Sequence, residues 1–225
     1  MKPTIILHLS LCIIALLTSC KPDSKNAEIL PESYFPLNVG AKSIYLTRWI
    51  PSSHTDSIFQ ISDTSNLVSN PDYPIISQII EWKVEKDSIV KGKLYYKLVN
   101  TGTYNNRLLR NENGVIYNID IPPTGESFPM STVEYPILKE NANAGDFWTA
   151  DNFIFTVIEV KKSYTLNGKT YNSVQYIKKE VYTDGKLWLT EYQMYAAGIG
   201  LIYSYKPYPL SERYIDVEMK LISVE

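Results

Sequence analysis

Cysteine and histidine are nearly absent from this chain, with two of each in 225 residues. Cys12 lies in an apolar N-terminal run and Cys20 at its end, so the segment expected to fold has no free thiol, no disulfide and no thiolate metal site. One histidine remains there, His54, and one histidine without cysteine is a poor basis for zinc. Ser53-His54-Thr55-Asp56 contains triad residue types, but sequence neighbours cannot converge as a triad does, so His54 reads as a loop residue. There is no phosphate-binding glycine loop and no dinucleotide fingerprint. Asn111-Glu112-Asn113-Gly114 shares residues with a calcium loop but lacks the further spaced ligands and terminal glutamate, and reads as a hairpin turn. No cofactor is expected. Charge of one sign is also missing: the net charge is -2. That excludes a nucleic-acid footprint and gives no polybasic patch for anionic lipid.

What is present begins with an address. Lys2 and the apolar residues 5–17 have the form of a signal peptide, too short to span a bilayer as a mature helix. Leu17-Thr18-Ser19-Cys20 follows, the pattern of a bacterial lipoprotein box. It predicts removal of residues 1–19, a diacylglycerol on Cys20 and a membrane partner held through that lipid. Two or three acyl chains, at about 0.8 kcal/mol per buried methylene, make such an anchor firm. Lys21 rather than Asp at the next position favours the outer membrane, on its periplasmic face or at the cell surface. Residues 20–33 read as a polar tether, with Pro22 and Pro31. The part after the signal holds 21 basic against 24 acidic residues and all 28 aromatics, 18 of them tyrosine.

Residues 34–225 are expected to form a single all-β domain. Strand-like runs cover 43–50, 75–86, 93–100, 107–110, 115–119, 153–166, 169–182, 186–196, 200–205 and 213–224. Aromatic and β-branched residues suit pleated, half-buried surfaces. Asn113-Gly114, Asn167-Gly168 and Asp184-Gly185 are type I′ hairpin signals. Tight turns between successive strands predict an antiparallel sheet, curved or closed into a half-barrel. The Pro- and Ser-rich stretches 50–74 and 122–136 read as loops, and 137–144 as one short helical turn.

The chain also matches itself. Phe35-Pro36-Leu37-Asn38-Val39-Gly40 has a counterpart in Tyr135-Pro136-Ile137-Leu138 with Gly145-Asp146-Phe147-Trp148. Val90-Lys91-Gly92-Lys93-Leu94-Tyr95 matches Leu166-Asn167-Gly168-Lys169-Thr170-Tyr171, and Gly114-Val115-Ile116-Tyr117 matches Gly200-Leu201-Ile202-Tyr203. The order is the same in each half, which predicts two duplicated meanders, about 34–119 and 134–205.

Tyr34-Phe35-Pro36-Leu37-Asn38-Val39-Gly40 and Tyr195-Ala196-Ala197-Gly198-Ile199-Gly200-Leu201-Ile202 carry a resemblance to uncharacterised lipoproteins of the Bacteroidota. The resemblance implies an antiparallel β domain like the curved half-barrels of periplasmic lipoprotein carriers, and brings no catalytic residues with it. One departure is Ser43, where relatives carry an aromatic; here Ile44 and Tyr45 follow instead.

Two functional classes remain. The first is a non-enzymatic envelope lipoprotein binding an apolar ligand, a glycan or a protein partner, with Trp82, Trp148, Trp188, Tyr95 and Tyr195 as the candidate ligand surface. The second is a carboxylate-dependent hydrolase acting on glycans, which needs two acids about 5 to 9 Å apart across a cleft. The missing histidine and thiol chemistry favours the first.

Overall fold

In a computed structural model of the chain, the described residues are 33–51, 76–101, 106–121, 133–207 and 215–225. Cys20, the tether to residue 32 and His54 lie outside them. Within them the chain forms twelve strands and no helix: β1 (Lys42–Pro51), β2 (Ile76–Val90), β3 (Lys93–Asn100), β4 (Asn106–Glu112), β5 (Val115–Ile121), β6 (Tyr135–Lys139), β7 (Phe147–Ala150), β8 (Phe153–Leu166), β9 (Lys169–Thr183), β10 (Lys186–Ala196), β11 (Gly200–Lys206) and β12 (Ile215–Val224). All belong to one antiparallel sheet, ordered β6-β5-β4-β3-β2-β1-β12-β11-β10-β9-β8-β7. Strands β1 to β6 make one meander and β7 to β12 another. The first and last strands pair, from Ser43↔Val224 to Pro51↔Ile215, and join the two.

Local chemistry explains the turns. Lys91-Gly92, Asn113-Gly114, Asn167-Gly168 and Asp184-Gly185 each have positive φ at both positions, the signature of a type I′ turn whose twist matches the strands it joins. The Gly92 and Gly168 turns each join the second and third strands of their meander, and Gly114 and Gly200 each stand at the start of the fifth.

Strands β4 and β10 stand six places apart along the sheet, yet Arg107 and Leu109 of the one and Glu191 and Gln193 of the other line the same cavity. The sheet therefore curls until its edges, β6 and β7, approach each other. No ladder joins these edges. Trp148 Nε1 of β7 donates to the Pro136 carbonyl of β6 at 3.1 Å. Gln175 Nε2 of β9 donates to the carbonyls of Lys139 at 3.1 Å and Glu140 at 2.9 Å. The expectation of a loop to residue 136 and a helical turn over 137–144 fails here, because residues 135–139 form β6. Pro136 cannot donate to a ladder and so signals a loop, but an edge strand pairs on one side only and tolerates it. β7, four residues long, also escaped the sequence.

Leu109, Ile116, Leu138, Trp148, Phe155, Val157 and Ile177 are buried in one cluster drawn from both meanders. Each large side chain so buried contributes about 1.5 to 3 kcal/mol. The indole of Trp148 stacks on Phe155, with centroids 5.4 Å apart. Trp148→Phe keeps an aromatic ring there but removes the seam hydrogen bond, and should cost about 1 to 2 kcal/mol in urea unfolding. Trp148→Ala should cost about 3 to 5 kcal/mol. Equal costs for the two would show that the indole N–H does not hold the seam.

Candidate functional site

The interior cavity is bounded at one end by the two sequence motifs that carry the family resemblance. Residues 33–40 form a tongue ahead of β1. Gly198 N–H donates to the Ser33 carbonyl at 2.8 Å, and Gly40 N–H to the Val84 carbonyl at 2.8 Å. Tyr34 N–H and the Ser33 hydroxyl both donate to Glu140 Oε1. So held, Phe35 packs beside Tyr195, with ring centroids 6.4 Å apart, and Phe35, Pro36, Ile199 and Leu201 form the tongue-end wall. Gly200 has φ +97°, and a Cβ there would lie 3.7 Å from both the Phe35 ring and the Tyr34 carbonyl. The second motif's glycine thus supplies a backbone conformation that L-residues rarely adopt, directly beneath the tongue.

The cavity measures about 80 Å³, room for two or three waters at about 30 Å³ each. Pockets for drug-sized ligands measure about 300 to 1,000 Å³, so a guest of that size requires a wall to move. The walls are mainly apolar, with Tyr45, Trp82, Val84, Leu98, Leu109 and Tyr195 among them, and Arg107 and Glu191 are their charged members. Arg107 stands near the start of β4, at the opposite end from the tongue. Its guanidinium lies over Trp82, 5.2 Å from the ring centroid. Its Nε is buried without a hydrogen-bond partner; the nearby Asp120 carboxylate, at 3.7 Å, is too far for one.

Glu191 accepts a hydrogen bond from Ser204 Oγ at 2.9 Å and faces Lys179 Nζ at 3.9 Å. Burial alone would raise the Glu191 carboxyl, but Lys206, Lys179 and the Ser204 hydroxyl together hold it below its usual range. Burial lowers the Lys179 ammonium, against the opposing pull of Glu191 and with Arg107 and Lys206 adding to the effect. Lys179 Nζ also sits 4.6 Å from the Phe153 ring centroid. Tyr195 donates to Gln193 Oε1 at 3.0 Å, and its burial raises the phenol well above its ordinary value. The interior is therefore amphipathic along its axis, apolar beneath the tongue and cationic on balance toward Arg107. Glu191 is the one carboxylate among the described lining residues, so this wall offers no opposed acid pair.

Of the five aromatics expected to form the ligand surface, Trp82 and Tyr195 line the cavity. The other three do not join them. Trp148 is core at the seam. Trp188 is 52% exposed, at the irregular position between Leu187 and Leu189 where β10 slips against β9. Tyr95 is buried in a separate cluster around Arg110. There Arg110 is bidentate to Glu134, with Nη2 to Oε2 at 2.9 Å, bridges Glu112 at 2.7 Å and stacks 4.1 Å from the Tyr117 centroid. Tyr95 donates its hydroxyl to Glu134. This clamp fastens the chain just before β6 and has the form of a structural element. Arg107, Glu191 and the tongue were missed by the sequence reading. The available signal was Leu189, Glu191, Gln193 and Tyr195 on alternate positions of one strand, which put polar residues on an otherwise apolar face. Asn111-Glu112-Asn113-Gly114 is a hairpin turn, with Asn111 Oδ1 accepting from Gly114 N–H at 3.1 Å.

No family model matches the chain, and no curated protein matches it. Among solved structures it is similar to a candidate lipoprotein from Parabacteroides distasonis, with 10% identity over 87% of this chain and 99% of that one and a TM-score of 0.38. It is similar to a candidate exported protein with a YmcC-like fold from Bacteroides fragilis, with 11% identity over 86% and 99% and a TM-score of 0.41. A third likeness is to a domain of a candidate outer membrane lipoprotein-sorting protein from Vibrio parahaemolyticus, with 9% identity over 83% and 85% and a TM-score of 0.24.

The Arg110 clamp generates a pH prediction. Its hydrogen bond to Arg110 holds the Glu134 carboxyl below the ordinary value of 4.5. A depressed folded-state value contributes stability that is present above the unfolded value and lost as pH falls through the folded one. Denaturant stability should therefore decline below about pH 4.5, and Glu134→Gln should flatten that decline. An unchanged slope in the variant would show that the clamp does not titrate with folding.

Proposed function

We propose that this protein is a lipid-anchored, non-enzymatic component of the outer membrane that binds a small amphipathic ligand inside its curled sheet. The observation that carries the binding reading is Arg107. A guanidinium stacked on Trp82, on a side chain 39% exposed but with its Nε buried and lacking an acceptor, sits at the polar end of a mainly apolar cavity. A buried donor without a partner costs about 1 to 3 kcal/mol, and an acceptor on a ligand recovers it. The complementary guest has an apolar body toward Phe35 and Leu201 and an anionic or oxygen-rich head toward Arg107. Arg107, Lys179 and Lys206 near that end outnumber Glu191 and Asp120 by one and favour the negative head. Entry of anything larger than a few atoms involves displacement of the tongue, whose polar attachments to Glu140 and Gly198 are few. The same reading includes an internal duplication, supported by the equal rank of the matched turns in the two six-strand meanders.

The anchor is supported by Cys20 at the signal cleavage position. Cys20→Ser should abolish incorporation of a palmitate analogue and leave the protein extractable from membranes by high salt without detergent; unchanged labelling would remove the anchor from this account.

For the cavity, 1-anilinonaphthalene-8-sulfonate is a suitable probe, because it joins an apolar body to an anionic head. The mature chain should show saturable fluorescence enhancement, with one site per chain. Arg107→Ala should weaken binding about tenfold or more, as expected for a charged hydrogen bond, with the melting temperature little changed. Non-saturable enhancement, or equal affinity in the variant, would overturn the cavity as the binding site. Hydrolysis of envelope glycans by the purified protein, abolished by Glu191→Gln, would instead establish the hydrolase reading.

A further inference from the structure

The turns of the curled sheet separate into two ends. Ser33, Gly40, the Lys91-Gly92, Asn113-Gly114 and Asn167-Gly168 turns, and Glu225 stand at one end; Asp184-Gly185 and the starts of β2 and β12 stand at the other. At the first end the β8–β9 hairpin extends beyond both of its neighbours, and the β2–β3 hairpin extends beyond β1 but stands level with the β4–β5 turn. β9 has its last pairing with β10 at Val174↔Ala196, while its pairing with β8 continues through Tyr164↔Tyr171 to Leu166↔Lys169. The β8–β9 ribbon so continues for several residues, about 20 Å at roughly 3.3 Å per residue. β2 likewise continues past the end of its pairing with β1 at Lys83↔Lys42 to Val90↔Lys93.

These tips are rich in lysine, and the β2–β3 tip carries exposed aliphatics. Residues 160–174 include Lys161, Lys162 and Lys169 and no acid, and residues 88–97 include Lys91, Lys93 and Lys97 and no acid. Lys93 and Lys97 reach carboxylates on neighbouring segments, and Lys161 reaches Glu159 on its own strand. Lys91, Lys162 and Lys169 form no ion pair among the described residues, although Lys169 lies over the Tyr171 ring at 5.4 Å. Ile89 is 77% exposed and its cross-strand partner Leu94 is 47% exposed. Val39, in the tongue, is also exposed.

We propose that this end of the domain rests on an anionic phospholipid surface, with Lys91, Lys162 and Lys169 over the headgroups and Ile89 and Leu94 in the interfacial layer. The inference rests on the acylated Cys20 of the proposed function. The position of the tether selects the occupant. Ser33 follows Cys20 by 13 positions, a span of at most about 45 Å. β9, with 15 residues, is itself about 50 Å long. The end that carries Ser33 is thus held near the bilayer; Glu112, Glu140 and Glu225 share that end, but the tip lysines that no described carboxylate pairs are complementary to anionic lipid. The overall negative balance of the chain concealed this local cluster.

The test uses the mature chain with Cys20→Ser, so that the affinity of the domain is read without the acyl chains. It should co-sediment with phosphatidylethanolamine vesicles containing phosphatidylglycerol, in a salt-sensitive manner, and not with pure phosphatidylcholine vesicles. Combined Lys91→Glu, Lys162→Glu and Lys169→Glu should weaken binding by about a hundredfold, roughly fivefold per lysine near an anionic surface. Lys186→Glu, at the opposite end, should leave it unchanged. Unaltered circular dichroism and melting would establish that the variants are folded, as expected for exposed side chains. No binding, equal binding to both vesicle types, or an unchanged triple variant would overturn the inference. So would self-association abolished by the triple variant without vesicle binding, which would make this end a protein interface. Palmitate labelling of the unmodified chain separates the two readings: label with no vesicle affinity in Cys20→Ser leaves the anchor standing and removes this contact, whereas vesicle affinity without label does the reverse.

Discussion

The ladder between β1 and β12 is the constraint on which the rest depends. Each meander could form from local hairpins, but the curled sheet and its interior exist only when the first and last strands pair. The two strands are separated by more than 160 residues, and closing a flexible loop of that length costs about 4 to 5 kcal/mol of chain entropy. Backbone bonds alone do not offset this. The compensation comes from burial across the sheet, where Tyr45 of β1 and Leu221 of β12 are directly opposite each other and buried in one cluster. Such a contact pattern, with its last element essential, is expected to fold slowly.

Polar chemistry is distributed unevenly over this frame. The Arg110 clamp engages all three guanidinium nitrogens with Glu134, Glu112 and Tyr95, which is how a buried charge is tolerated. Arg107, three positions earlier on the same strand, differs: its ring contact is favourable but its Nε is left without an acceptor. Two arginines on one strand, pointing to opposite faces, thus behave differently. The outward one is a rivet, and the inward one retains unspent hydrogen-bonding capacity.

The sequence made the architecture largely legible because its turns are chemically explicit. Asn-Gly and Asp-Gly pairs announce the hairpins, and long runs of tyrosine, valine and isoleucine between them announce strands; ten of the twelve were visible. β6 and β7 were not, since Pro136 and a four-residue strand give weak local signals, and their existence depends on contacts with β5 and β8. The ligand surface was less legible. Aromatic residue type identified Trp82 and Tyr195 but could not separate them from Trp148 and Tyr95, because the face a side chain occupies depends on register and on bulges such as those at Val84/Lys86 and Met194/Tyr195. The meeting of Phe35 with Gly200 joins segments 165 positions apart and has no local trace.

The side-chain seam between β6 and β7 has a mechanical consequence. A fully laddered barrel has a fixed girth, since widening it anywhere breaks a row of backbone bonds. Here one join consists of Trp148 and Gln175 holding the carbonyls of Pro136, Lys139 and Glu140, and Pro136 lacks the N–H that would help zip it shut. These three bonds contribute only about 3 kcal/mol at roughly 1 kcal/mol each, far less than a full ladder, so the rest of the join is the apolar packing of Tyr135 and Leu138 against Phe153 and Trp148, which can slide without breaking a row of backbone bonds. The sheet thus contains an expansion joint, and its girth can change while every strand keeps its neighbours.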